Sequence, residues 1–250
     1  MNKKTIMLAK FGEHKHLKML RDGILYFNPI YKYRNDGTDY RGDKLEGHKP
    51  LNPKTIKLIN PNGKDLFSDL GVQYSDSVTQ SIQGDDDLFI FCAAKIDINN
   101  LCEINTDEYV FSNEFKESIR QFGEFAVLFD MSELLFRLRA VQKDASPPFG
   151  YKCDSIFYIN FKDFSNSDEI NNAYNRHESP YNHYFVKDLK YKNQNEWRII
   201  IDGSTKHLKA NCGEGYSLEV GKFDWVHICK TSIFLDTLRL VDNNKELKAD

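Results

Sequence analysis

Cysteine is scarce in this sequence, and none of it is spaced as a metal-binding or disulfide pair. The five cysteines of the 250-residue chain lie far apart, and no Cys-x-x-Cys occurs. An odd number of dispersed cysteines argues against a disulfide framework and against a zinc site built on paired cysteines. We therefore expect a cytoplasmic protein without a bound metal.

Long hydrophobic runs and an excess of either charge are also lacking. No stretch approaches the ~18 consecutive apolar residues that a membrane span needs, so we expect no membrane partner. The basic start of the chain precedes an apolar run of only a strand's length, which does not resemble a signal peptide. The net charge of −3 gives no overall signal for nucleic-acid binding.

The common catalytic motifs are missing as well. The chain contains no Gly-x-Ser-x-Gly, no P-loop and no Gly-x-Gly-x-x-Gly. His177 and His183 flank Pro180, which prevents the helical histidine pair of a zinc protease. Cys92 has no basic neighbour along the chain that would activate its thiol, so we expect it to belong to the core.

The apolar pattern predicts an α+β fold. Residues 88–94 form a continuous apolar run, which is typical of a strand covered on both faces. Helical spacing of apolar residues predicts helices over 13–21, 113–122 and 131–141. Predicted strands outnumber helices and do not alternate with them, which favours α+β over α/β. We expect a single domain, 1–250, with a polar, loop-rich insertion at about 31–87.

One polar-to-apolar transition, over residues 192–201, stands out. Glu196 and Arg198 alternate with Trp197 and Ile199, which predicts a strand with two different faces. Gln194 lies at the entrance of this strand, on the side of Glu196. Such a face is either a solvated edge or a polar site, and the pattern alone favours the solvated edge, because charged residues are mostly exposed.

The segment 31–47 carries charges of both signs and is interrupted by glycines. Such a composition is typical of a solvated loop. Alternatively, Arg34 and Arg41 could clamp a phosphate while Tyr40 stacks on a base or ring, which makes these three residues candidate substrate contacts. The acidic residues of the segment lack the calcium-loop spacing.

Three segments resemble a widespread, largely uncharacterised bacterial family, some of whose members look like abortive-infection or phage-defence proteins. The segments are 10–12 with 16–29, then 88–94, and finally Lys187 with 193–198. In the same order, they also resemble the three-strand signature of ADP-ribosyltransferases. This second resemblance implies a mixed, split β-sheet with peripheral helices.

The ADP-ribosyltransferase resemblance also implies roles for individual residues. The last strand of that signature carries Gln/Glu-x-Glu, which Gln194-Asn195-Glu196 matches. Glu196 would be the catalytic carboxylate that stabilises an oxocarbenium-like transition state, and Gln194 would position the acceptor. The middle residue would be free to vary. The residues that the resemblance implies near NAD are Lys10, His14, Phe91 and Arg198.

Three functional hypotheses follow. The first is a bacterial effector, toxin-like or defence-associated, that transfers ADP-ribose from NAD to a macromolecular acceptor and has a neutralising partner protein. The second is a non-enzymatic module whose loop 31–47 binds nucleic acid or a protein. The third, least favoured, is a metal-dependent nuclease that uses Asp36, Asp43 and Glu46.

Overall fold

The structure is a computed structural model. It describes residues 7–38, 40–52, 56–57, 59–65, 78–80, 88–106, 108–146, 149–165, 167–176, 180–203, 215–224 and 226–241. Among these residues, none of the helices combines the length and the apolar composition needed to cross a membrane.

The described chain is α+β, as the apolar pattern predicts. The helices are α1 His14–Arg21, α2 Ile30–Asn35, α3 Asn113–Ile119, α4 Met131–Asp144, α5 Ser167–Asn175 and α6 Thr231–Thr237. The strands are β1 Met7–Gly12, β2 Ile24–Pro29, β3 Lys49–Leu51, β4 Val78–Gln80, β5 Leu88–Ile96, β6 Leu101–Asn105, β7 Glu108–Phe111, β8 Phe125–Asp130, β9 Tyr151–Ser155, β10 Phe157–Ile159, β11 Val186–Asp188, β12 Glu196–Asp202, β13 Tyr216–Glu219, β14 Ile228–Lys230 and β15 Leu240–Val241.

Eight of these strands form the main sheet, in the order β13-β2-β5-β1-β8-β14, with β12 and then β9 joined to β5. Every strand pairing described in this sheet is antiparallel. A parallel pair, β10 with β11, lies in a separate two-stranded sheet. The expectation of a mixed main sheet is therefore wrong. β1 and β2 run in the same direction and are connected by α1, as two parallel neighbouring strands would be. They do not pair with each other, however, because each pairs with β5.

The main sheet opens between β1 and β2. β1 pairs with residues 94–96 of β5, whereas β2 pairs with residues 89 and 90. β12 pairs with β5 over 88–94, so β1 and β2 must share the opposite edge of β5. Residues 91–93 consequently have no strand partner on that edge in the described part of the chain. The C-terminal half of β1 pairs only with β8 among the described residues. Helix α1 contacts both β1 and β2 and lies beside the gap between them.

β12 lies inside the sheet, between β5 and β9, and both of its faces are buried. Trp197, Ile199 and Ile201 pack in the largest hydrophobic cluster, together with Phe91. Ile200 points to the opposite face and packs against Tyr184. The strand itself is confirmed, but the solvated edge that its charged residues favour is wrong. Glu46 from the loop before β3, Tyr184 and Lys187 of β11 contact Arg198 or Glu196 on that face.

The predicted insertion is more ordered at its start than its composition indicates. Residues 31–35 belong to helix α2. Further along the segment, four residues are buried: Gly42, Asp43, Glu46 and Gly47. β3 and β4 form a small antiparallel pair further along. Residues 66–77 and 81–87 of the insertion lie outside the described residues.

Gly123 offers a test of the contact between the start of β8 and the end of β1. A Cβ atom at position 123 would lie 2.3 Å from the Cα atom of Gly12, whereas a Cβ atom at Gly37 would meet nothing within 4 Å. We expect Gly123→Ala to lower the free energy of unfolding by roughly 1–3 kcal/mol, because backbone cannot move aside as a side chain can. Urea denaturation should show this loss, while Gly37→Ala should stay within about 0.5 kcal/mol of wild type. Equal effects of the two substitutions would contradict the close approach of Gly12 and Gly123.

Candidate active site

A cleft with a volume of about 660 Å³ occupies the gap between β1 and β2. Helix α1 and the ends of β1 and β2 form its walls, and residues 91–94 of β5 contribute its floor. Lys10, Phe91, Gln194 and Glu196 all line it. The structure thus brings together four of the residues that the sequence identifies as catalytic or cofactor-binding.

Glu196 is held at the edge of this cleft by two cations. Its Oε1 accepts a hydrogen bond from Nε of Arg198 at 2.5 Å, and its Oε2 accepts one from Nζ of Lys187 at 2.8 Å. Only 9% of the side chain is exposed. Burial raises the pKa of this carboxyl, but Arg198 and Lys187 outweigh burial and hold the pKa well below its usual range. Glu196 is therefore a fixed, fully ionised carboxylate.

Arg198 connects Glu196 to the loop before β3. Its two terminal nitrogens bind the two carboxylate oxygens of Glu46, at 2.5 and 2.8 Å, and one of them also donates to the carbonyl of Tyr184 at 2.7 Å. Arg198 is 1% exposed and Glu46 is completely buried. Arg198 does not line the cleft, so the structure places it behind Glu196 and not at the position of a cofactor contact.

Lys187, from β11, completes a chain of alternating charges: Glu46, Arg198, Glu196 and Lys187. Two negative and two positive groups leave this buried chain without net charge, which is the condition under which ions tolerate burial. Burial lowers the pKa of Lys187, but Glu196, Glu46 and Tyr158 together outweigh burial, so the pKa is raised and Lys187 stays protonated. In the sequence, Lys187 is only part of a matching segment, and nothing there points to its role.

Gln194 uses both ends of its side-chain amide inside the protein. Its Nε2 donates to the carbonyl of Tyr40 at 2.8 Å, and its Oε1 accepts from Lys187 at 3.4 Å. Gln194 lines the cleft while it joins the 40–42 segment to the charged chain. Its amide therefore orients neighbouring protein groups in addition to lining the cleft.

Asn195 is not a free position. It has a φ of 43°, the left-handed conformation that asparagine tolerates better than most residues. Its side-chain amide donates to the carbonyl of Lys95 at 2.7 Å and to Oδ1 of Asp97 at 3.1 Å. The sharp change of direction here separates a short 3₁₀ helix, Leu189–Gln194, from β12, and it turns both Gln194 and Glu196 toward the cleft.

Lys10 reaches into the gap from β1. Its Nζ donates to the carbonyl of Cys92, on the stretch of β5 that lacks a strand partner, and lies 4.7 Å from the centre of the Phe91 ring. Burial lowers the pKa of Lys10, and Glu196 is among the groups that partly restore it. The side chain of Lys10 thus provides a hydrogen-bond donor to β5 at a point where no strand pairs with it.

The remaining predicted residues lie at the mouth of the cleft or outside it. His14 is exposed, packs edge-on against Phe125 at 5.1 Å and does not line the cleft, whereas His16 does. Arg41 lines the mouth, where its guanidinium donates to the carbonyl of Phe122. Tyr40 packs edge-on against Phe122 at 5.5 Å and is not part of the cleft lining.

Arg34, Asp43 and Glu46 make contacts within the protein. Nε of Arg34 donates to the carbonyl of Glu46 at 2.8 Å, and Oδ1 of Asp43 accepts from the amide of Leu45 at 3.0 Å. Both carboxylate oxygens of Glu46, one of the three acids of the nuclease hypothesis, bind Arg198. No group of three histidine, cysteine, aspartate or glutamate side chains is arranged to bind a metal within the ranges that the structure covers.

Cys92 lines the cleft as a protonated thiol. Burial, with the nearby charge of Glu196, raises its pKa to about 12. Its Sγ lies 3.5 Å from the hydroxyl oxygen of Tyr33, which comes from α2 and also lines the cleft. Tyr33 supplies a hydroxyl group beside the middle strand, and the sequence could not reveal this because the two residues lie in different elements.

Comparison with protein-family models, with curated proteins and with solved structures found no match for this chain. The two family resemblances therefore remain predictions.

The buried charge chain makes Arg198 a test of stability. We expect Arg198→Met to cost roughly 3–5 kcal/mol of unfolding free energy, because it leaves the carboxylates of Glu46 and Glu196 buried without their shared cation. Arg239 is a matched control, since its ion pair with Glu108 is at the surface, with 61% of the arginine side chain exposed. Arg239→Met should cost less than about 1 kcal/mol in the same urea titration. Comparable losses would show that Arg198 is not energetically central.

The lowered pKa of Glu196 predicts how stability responds to acid. The folded protein binds a proton at Glu196 less readily than the unfolded chain, whose carboxyl has an ordinary pKa of 4.5. The contribution of Glu196 is therefore complete above that value and is lost as the pH falls below it. We expect Glu196→Gln to be less stable than wild type near neutral pH, and the difference to shrink as the pH falls. Urea titrations across this pH range measure that difference, and one that stays constant would contradict the lowered pKa.

Proposed function

We propose that this protein transfers ADP-ribose from NAD to a macromolecular acceptor, with Glu196 as the catalytic carboxylate. The proposal depends on one observation above all. Residues 10–12, 88–94 and 196–198 of the three segments that resemble the transferase signature lie on β1, β5 and β12, which are neighbours in the sheet. The side chains of Lys10, Phe91 and Glu196 line a common cleft.

The register of these strands supports an ADP-ribosyltransferase-like arrangement. Ala9 of β1 lies opposite Ala94 of β5, and Ala94 lies opposite Glu196 of β12. The catalytic strand is thus separated from the first strand by the middle strand alone. The opening of the sheet between β1 and β2 begins one residue further along β1, at Lys10, and supplies the space that a ligand needs.

The state of Glu196 suits the cleavage of a glycosidic bond. When the bond between the ribose C1′ atom and the nicotinamide nitrogen breaks, nicotinamide leaves with the electron pair and positive charge develops on the ribose. A carboxylate that is already ionised and held in place stabilises this charge without reorganisation. A carboxylate has about four acceptor positions. The contacts with Arg198, Lys187 and the thiol of Cys92 use three of them, which leaves one for a ribose hydroxyl.

The size and charge of the cleft also suit NAD. Its volume of about 660 Å³ lies within the usual range of roughly 300–1,000 Å³ for small-molecule sites. Lys10 and Arg41 line it and would face the pyrophosphate, and the hydroxyl of Tyr33 lies beside the middle strand. Lys10 stands where the signature has Arg or His, and like them it can donate a hydrogen bond to the ligand.

We place the activity in the cytoplasm of a bacterium, in a toxin-like or phage-defence effector, because of the resemblance to that family. The acceptor is a protein or a nucleic acid, and a partner protein would neutralise the activity. Loop 31–47 is a weaker candidate for binding such a macromolecule on its own. Two of its three proposed contacts, Arg34 and Arg41, donate to the carbonyls of Glu46 and Phe122.

Replacement of Glu196 by glutamine tests the proposal. Glu196→Gln keeps the shape of the side chain and removes its charge, so we expect release of nicotinamide from NAD to fall by about a hundredfold or more. Glu103→Gln is the control, because Glu103 is an exposed residue of β6 that does not line the cleft. It should retain wild-type turnover. Growth of cells that express each variant, followed in parallel, should be impaired by the wild type and by Glu103→Gln only.

Circular dichroism and thermal melting must show that Glu196→Gln is folded at the assay temperature. If the wild type neither binds nor cleaves NAD and both variants affect growth equally, the transferase proposal is rejected. The buried charge chain would then serve only to stabilise the fold.

A further inference from the structure

Unlike Lys187, Lys10 lines the cleft without a carboxylate partner among the described residues. Lys187 pairs with Glu196, and Arg41 donates to the carbonyl of Phe122 while its guanidinium lies 5.7 Å from the ring of Tyr40. Nζ of Lys10 has the carbonyl of Cys92 as its acceptor and the face of Phe91 beneath it, and no ion pair joins it to any acid in the described part of the chain. An ammonium group has three hydrogens, so two remain for the cleft.

The surroundings of Lys10 favour its neutral form. A carbonyl oxygen and an aromatic face compensate an ammonium charge less well than a carboxylate does, and burial lowers the pKa of this amine. A neutral amine that faces a ligand-sized cavity is a nucleophile, and desolvated lysines are the ones that form Schiff bases with carbonyl compounds.

We propose that Lys10 is a reactive amine that forms an imine with the carbonyl group of a small anionic ligand in the cleft. The proposal does not depend on NAD or on the transfer of ADP-ribose.

The step needs no further reactant. The lone pair of Nζ forms a bond to the carbonyl carbon while the carbonyl π electrons move to oxygen, which takes up a proton. The resulting carbinolamine loses water, and its nitrogen gives up its remaining proton or keeps it as an iminium ion. Amine and carbonyl compound thus yield imine and water, without oxidation or reduction. The negative charge of Glu196, which acts on Lys10 across the cleft, stabilises the iminium form.

The charges near the mouth of the cleft favour an anion. Lys32 and Arg41 line it. Of the acids there, Glu13 pairs with Lys15 at 2.9 Å, which leaves Asp36 against these two cations. An aldehyde or keto group that carries a carboxylate or phosphate therefore suits the site better than an uncharged one.

Reductive trapping tests this inference. The full chain is incubated with glyoxylate and cyanoborohydride, which converts an imine into a stable secondary amine, and the modified lysines are identified by peptide mass spectrometry. We expect Lys10 to carry the dominant adduct, and the same treatment with acetaldehyde, an uncharged aldehyde, to modify Lys10 less. Lys10→Arg should lose the adduct, whereas Lys18→Arg, which alters an exposed lysine of α1 outside the cleft lining, should keep it.

The positions of the modified lysines in the wild-type protein test the proposal even if Lys10→Arg does not fold. Modification spread evenly over exposed lysines, with Lys10 unmodified, would overturn the proposal. Equal labelling by glyoxylate and acetaldehyde at Lys10 would overturn its preference for an anion. Because NAD is absent from the experiment, neither result bears on the transferase proposal.

Discussion

The burial of the Arg198 guanidinium is the constraint on which the candidate site depends. A guanidinium that is 1% exposed needs negative partners for its charge and acceptors for its hydrogens, and Glu46, Glu196 and the carbonyl of Tyr184 provide them. To supply Glu46, the loop before β3 must pack on β12. To balance the second carboxylate, β11 must deliver Lys187. One buried cation thus positions three separate parts of the chain.

The same arrangement fixes the orientation and the charge of Glu196. Two charged donors set its orientation, and the same two groups keep it ionised. The opening between β1 and β2 places this group beside empty volume instead of inside a continuous sheet. Lys10 donates to the carbonyl of Cys92 on the stretch of β5 that has no strand partner, which supplies that carbonyl with a hydrogen bond. The charges that stabilise the fold thus also fix the group on which the proposed activity depends.

Local sequence patterns predicted the helices and strands well, but they predicted the burial and the long-range contacts of individual residues poorly. The apolar run 88–94 lies within β5, and the helix predicted over 131–141 lies within α4, because each pattern reflects burial of its own side chains. The segment 31–47 has the composition of a solvated loop, yet Asp43 and Glu46 are buried, since a distant arginine compensates Glu46. The transferase resemblance implies that Asn195 is free to vary, but its left-handed backbone directs both of its neighbours toward the cleft.

By itself, the sequence determined the strand at 196–201, its two-faced alternation and the α+β class, because these follow from the order of side chains along the chain. Only the tertiary structure decided that this strand is central, that Arg198 faces Glu46 and not a ligand, and that Lys10 and Glu196 line one cleft. Glu46 and Arg198 are 152 residues apart, and no local pattern encodes which buried charges will meet. Their partnership depends on the whole chain having folded, since only then is water removed from both groups and the pairing becomes necessary.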